Sequence, residues 1–98
     1  MRIYQAVPEY LADFHQFFQD WLLPVQQRHG ARLVGRWETD DQRVVAVWEY
    51  DDEYAYARID EAVRADPDSH AAQIYRRAEL PEFFTGRQEV LMRSTLPD

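Results

Sequence analysis

Ala31-Arg32-Leu33-Val34-Gly35-Arg36-Trp37-Glu38 and Arg43-Val44-Val45-Ala46-Val47-Trp48-Glu49-Tyr50 are two β-prone runs separated by Thr39-Asp40-Asp41-Gln42, and their pairing decides the fold. With the turn at Asp40-Asp41, Glu38 lies opposite Arg43, Trp37 opposite Val44, Arg36 opposite Val45, Gly35 opposite Ala46, Val34 opposite Val47, Leu33 opposite Trp48 and Arg32 opposite Glu49. This register places an opposite-charge pair at each end of the hairpin. One face then carries Leu33, Gly35, Trp37, Val44, Ala46, Trp48 and Tyr50. The other carries Val34, Arg36, Val45 and Val47 between the two ion pairs. The small pair Gly35 and Ala46 lets a helix approach the first face. A chain of 98 residues has helix enough for one side of a sheet, so the valine face is expected to meet a second copy of the chain, with Val34, Arg36, Val45 and Val47 in that interface.

Outward from the hairpin, residues 2–7 read as a first strand stopped by Pro8. From residue 9 to about residue 29, Leu11, Phe14, Phe18, Trp21, Leu22 and Val25 recur at three- and four-residue spacings, the pattern of one buried helical stripe. Pro24 within it predicts a bend, and Gly30 predicts its end. After the hairpin, Asp51-Asp52-Glu53 opens a helix with Ala55, Ile59, Ala62 and Val63 on its apolar face. Asp66-Pro67 starts another, to about residue 78, with Ala71, Ile74, Tyr75 and Ala78 as its inward candidates. Residues 82–86 read as a loop anchored by Phe83 and Phe84, and residues 87–96 as the last strand. The order is the α+β, ferredoxin-like βαββαβ plan with an antiparallel four-stranded sheet, in a single domain over residues 1–98.

Composition excludes more chemistry than it suggests. Eighteen acidic residues against eleven basic give a net charge of −7, which repels nucleic-acid backbones and anionic membrane surfaces. No cysteine is present, so there is no disulfide, thiolate nucleophile or thiolate metal site. All basic residues are arginine, and neither lysine nor asparagine occurs. That removes a Schiff-base lysine, a lysine phosphate loop and an asparagine oxyanion donor. The N-terminal run lacks the continuous apolar stretch of a signal peptide, and no run reaches membrane-spanning length, which reads as a cytoplasmic protein.

Few residues are candidates for chemistry. His15 lies at the edge of the first helix stripe, where its ring either enters a cavity over the sheet or is capped by water. His29 reads as a helix-end residue and His70 as solvated, and the three share no metal-ligand spacing, so no metal is expected. Trp37, Trp48 and Tyr50, with the Tyr4 hydroxyl, either line a flat apolar pocket for a small hydrophobic ligand or are core. Glu49, paired with Arg32, reads as half of a structural ion pair.

The run Leu23 to Trp37, followed by Val44 to Asp51 and by Ala65-Asp66-Pro67, resembles the NIPSNAP family within the dimeric alpha-beta barrel superfamily. The resemblance implies a ferredoxin-like protomer, a homodimer built by sheet stacking and a cavity between sheet and helices. It implies no cofactor, and the family carries no agreed catalytic residues. Superfamily relatives include cofactor-free oxygenases and haem-degrading enzymes, and the asparagine of the latter is missing here. Two functions stand on this reading: a homodimeric module that binds a small hydrophobic molecule, or a cofactor-independent monooxygenase- or isomerase-like enzyme acting on a small aromatic or polyketide-like substrate.

Overall fold

The computed structural model describes residues 1–96. Strands β1 (Arg2–Ala6), β2 (Arg32–Glu38), β3 (Arg43–Glu49) and β4 (Phe84–Glu89) form one antiparallel sheet in the order β2-β3-β1-β4. Helices α1 (Leu11–Phe17), α2 (Leu23–Arg28), α3 (Glu53–Ala65) and α4 (Pro67–Glu79) complete the expected ferredoxin-like α+β plan. The smallest dimension of the molecule is 18 Å, the thickness of a sheet with helices on one side only. Among the described residues, no helix is long and apolar enough to cross a membrane.

A single π-helical turn, Phe18–Leu22, joins α1 to α2, and in it the Leu23 N–H donates to the Phe18 carbonyl five residues back. Pro24 has no N–H to offer the carbonyl of Asp20, so a regular helix would fail at this point, and the widened turn absorbs the fault one turn early. The helix ends as the sequence indicates. Gly30, at φ +100°, lets its own N–H reach the Gln27 carbonyl and the Ala31 N–H reach that of Gln26, each at 3.0 Å.

Caps fix the two later helices. Asp52 accepts from the Ala55 N–H at 2.7 Å, and Asp66 accepts from the Asp68 N–H at 2.8 Å. Ala55 and Ile59 turn inward from α3 as expected. In α4 the inward residue is Ala72, while Ala71 and Ala78 are exposed and Ile74 is 69% exposed. This helix packs through one small residue and the stacking of Tyr75 on Trp21, 4.7 Å between ring centroids, so its larger aliphatic residue is not needed inside. The last strand also departs from expectation. It begins at Phe84, opposite Ala6, and its ladder with β1 ends at mutual 2.8 Å backbone bonds between Met1 and Val90. Residues 91–95 have no strand partner, despite their alternation.

The hairpin register differs from the expected one over most of its length. Arg32 faces Glu49 and Leu33 faces Trp48 as expected, but Gly35 faces Val47, Arg36 faces Ala46, Trp37 faces Val45 and Glu38 faces Val44. Two local features produce this shift. Gln42 adopts φ +66°, and the Gln42 N–H bonds to the Thr39 carbonyl at 3.1 Å while the Thr39 N–H bonds to the Arg43 carbonyl at 2.8 Å. The loop is therefore three residues closed by a left-handed one, instead of four. A bulge at Val34 then restores the original register.

A one-residue slip exchanges faces. Arg36, expected among the valines, lies under the helices, and Trp37, expected inside, lies on the open face and is 52% exposed. A Cβ at Gly35 would strike the Trp37 ring, so this glycine accommodates a tryptophan on the open side instead of a helix. The Glu38–Arg43 pair does not form: Glu38 bonds to His15, and Arg43 to Asp41 at 3.0 Å. Val44, Ala46 and Trp48 face the helices as expected, and all are buried. Two clusters account for most of the core. Ala6, Phe14, Phe17, Val44, Ala72 and Phe83 form one; Phe18, Ala31, Ala46, Trp48 and Ile59 form the other.

Candidate functional site

Between the two core clusters, under the junction of α1 and the π turn, lies a cavity of about 60 Å³. Tyr4 of β1, Phe14 of α1, Phe18 of the π turn, and Ala46 and Trp48 of β3 line it, with Gln26 of α2 alongside. Two guanidinium residues, Arg2 and Arg36, also reach it, and among the described residues no carboxylate does.

Arg36 carries most of the chemistry. Its guanidinium carbon sits 4.7 Å from the ring centroid of Phe14 and 4.4 Å from that of Phe18, an arrangement in which two aromatic faces compensate part of the lost hydration. Its Nη1 donates to His15 Nδ1, and His15 Nε2 is bonded to Glu38 Oε1. Because a guanidinium can only donate, Nδ1 must be the unprotonated nitrogen, which places the ring proton on Nε2, where it is donated to Glu38. Nη2 is buried and has no hydrogen-bond partner among the described residues. Burial pulls the Arg36 pKa below the usual guanidinium value, and Tyr4 and Glu38 act against that pull.

A second polar cluster joins the end of α2 to the start of α4. Asp66 accepts from His29 Nε2 and from Arg28 Nη2, each at 2.7 Å, and Asp68 accepts from the same Arg28 at 3.0 Å. His29, then Arg28, then the capped Asp68 N–H hold the Asp66 carboxyl well below the usual carboxylate range. Arg28 Nη2 and His29 Nε2 both reach carboxylates across the helix ends, so the cluster ties helices together. Among the described residues, no group of three His, Asp or Glu side chains could hold a metal ion.

The structure separates the residues singled out in the sequence. Tyr4 and Trp48 line the cavity, and His15 stands behind Arg36. Tyr50 packs away from it, edge-on to Tyr56 at 5.0 Å, and burial pushes its hydroxyl pKa up. Trp37 lies on the open face with Val45 and Val47, beside the exposed Val34. Glu38 as the partner of His15, and Arg36 as a cavity residue, follow from the true register and were not visible without it.

The family model described as NIPSNAP matches residues 1–93. No curated protein matches. Among solved structures, the chain is similar to an uncharacterized NIPSNAP domain protein from Burkholderia xenovorans, at 26% identity and a TM-score of 0.79, over 99% of this chain and 95% of that one. A NIPSNAP-like domain protein from the same organism is 28% identical with a TM-score of 0.75, over 99% and 85% of the two chains. A nipsnap family protein with unknown function from Agrobacterium tumefaciens shares the fold at 17% identity and a TM-score of 0.69, over 98% and 89%.

Proposed function

The chain belongs to the NIPSNAP family, and from that premise we propose that it acts as a homodimer that binds a small molecule in the cavity between its sheet and its helices. The observation that carries the proposal is the division of the sheet. Helices cover one face, while the other presents Ile3, Trp37, Val45 and Val47, placed together by the pairing of Val45 with both Ile3 and Trp37. An apolar patch on an otherwise charged chain calls for a partner, and a second copy stacking the same face supplies a self-complementary one. Arg43 and Glu49 lie on that face beyond the valines and serve as a polar rim.

Val45→Asp tests the dimer. The variant should be monomeric by light scattering at concentrations where the parent is dimeric. A variant that stays dimeric rules out this face.

The size of the cavity limits the ligand. A void of about 150 Å³ holds benzene, against about 60 Å³ here, which supports a ligand smaller than an aromatic or polyketide-like substrate. The bonded pair of His15 and Glu38 favours the enzyme alternative, since a carboxylate-oriented imidazole is a proton carrier in many hydrolases and isomerases. Yet His15 Nδ1 already accepts from Arg36, which leaves the imidazole no free acceptor. Binding without chemistry is the reading the geometry supports best.

A further inference from the structure

We infer that His15 is an acid-operated latch on Arg36: when its ring takes up a second proton, the bond to Arg36 breaks and the guanidinium leaves its place between Phe14 and Phe18. Three observations converge. First, the relay from Glu38 through His15 to Arg36 has only one arrangement of protons. Arg36 Nη1 donates to His15 Nδ1, and Nε2 is bonded to the Glu38 carboxylate. A guanidinium cannot accept, so a proton on Nδ1 turns this hydrogen bond into two cationic donors facing each other. Glu38 remains a counter-ion for the charged ring at Nε2, so the bond that is lost is the one to Arg36.

Second, Arg36 has little else to hold it. Arg28, Arg32 and Arg43 each bond a carboxylate directly, whereas among the described residues Arg36 bonds none and its Nη2 is buried without a partner. The ring faces of Phe14 and Phe18 stay attractive, but they cannot both replace the lost bond and offset a facing imidazolium. Carboxylates stay charged near neutrality and imidazole changes charge there, so a link routed through His15 responds to pH where the direct pairs do not.

Third, the relay is open to solvent and free of competing charge. His15 and Glu38 are both partly exposed. The residues three and four away from His15 along its helix are Leu11, Ala12, Phe18 and Gln19, none of them charged, and Asp13 points to the other side. Asp20 is bonded to Gln16. From the sheet, the charged groups at the relay are Arg36 and Glu38 of β2, and Tyr4 of β1 acts on Arg36. Phenols do not ionise in the histidine range. Because Arg36 is part of the cavity wall, its release on acidification enlarges the void between sheet and helices, a side-chain event with a readout in the core.

The test follows the full chain by NMR between about pH 8 and about pH 5.5, a window that spans the ordinary histidine range and stays above the carboxylate range. Nuclear Overhauser contacts from the Arg36 methylenes to the Phe14 and Phe18 rings should be present at the upper end and fall at least twofold at the lower. Their midpoint should coincide with that of the His15 ring signals. His15→Gln can offer an amide oxygen to Arg36 and an amide N–H to Glu38 with no proton to titrate, and in it the contacts should persist across the window. If that variant does not fold, the shared midpoint in the parent decides. Contacts that survive in the parent after the His15 ring has titrated, or that vanish at a different midpoint, would overturn the latch. So would a His15 ring that stays neutral to the lower end, or a loss of contacts that persists in folded His15→Gln.

Discussion

Deleting Val34 separates the bulged register from the regular one. In the structure Val34 is the extra residue between the pairs Leu33–Trp48 and Gly35–Val47. Its removal joins these pairs into an uninterrupted ladder and leaves every other side chain on its present face. Val34 is 58% exposed, so little burial is lost, and one unpaired backbone unit disappears. The expected cost is within about 1 kcal/mol, as for most changes that touch neither core nor caps. For a domain of this size that moves Tm by no more than about 4–8 °C. In a regular register the same deletion would turn Leu33 to the open face, at about 2 kcal/mol of lost burial. It would also bring Arg32 beneath the helices, away from its partners Glu49 and Asp51 at 3.2 and 2.9 Å, for several kcal/mol more. Urea unfolding followed by far-ultraviolet circular dichroism, with Val34→Thr as a control of nearly parental stability, distinguishes the two. A deletion costing more than about 3 kcal/mol while the control is unaffected would refute the bulge.

Two further predictions concern the core and the alkaline limb of stability. Phe83 is 1% exposed and stacks parallel on Phe14 with centroids 5.2 Å apart. Phe83→Ala should therefore cost about 3–5 kcal/mol, and a loss below about 1 kcal/mol in chemical denaturation would remove it from the core. Tyr56 donates its hydroxyl proton to Glu89 at 2.5 Å, and this bond, ahead of burial, pushes its pKa from 10.0 up to about 12. A raised pKa means the folded state holds the proton more tightly, so the contribution is complete below pH 10 and disappears as pH rises toward 12. The stability difference between parent and Tyr56→Phe should shrink across that window; a constant difference would show that the hydroxyl is not so bonded.

The order of elements was legible because each carries its own local signal: the stripe of Phe14, Phe18 and Val25, the caps at Asp52 and Asp66, and the termination at Gly30. The faces of β3 were legible because Val44, Ala46 and Trp48 sit two residues apart in a strand with no irregularity. The faces of β2 were not. Its register depends on a left-handed Gln42, where glycine or asparagine would have announced the three-residue loop. A misleading charge match between Glu38 and Arg43 also made the unbulged alternative look complete. That single slip concealed most of the candidate site, since Arg36 and Glu38 reach the helix side only in the true register. Met1, Val90 and the exposed Leu91 and Met92 teach a related lesson: alternation makes a strand only where a neighbour remains to pair with it.

Cross-strand nuclear Overhauser contacts between β2 and β3 read the register of the hairpin, on which the placement of Arg36 and Trp37 depends. Main-chain contacts are expected of Trp37 with Val45 and of Arg36 with Ala46. Contacts of Trp37 with Val44 and of Arg36 with Val45 would return Arg36 to the open face and refute the bulged hairpin.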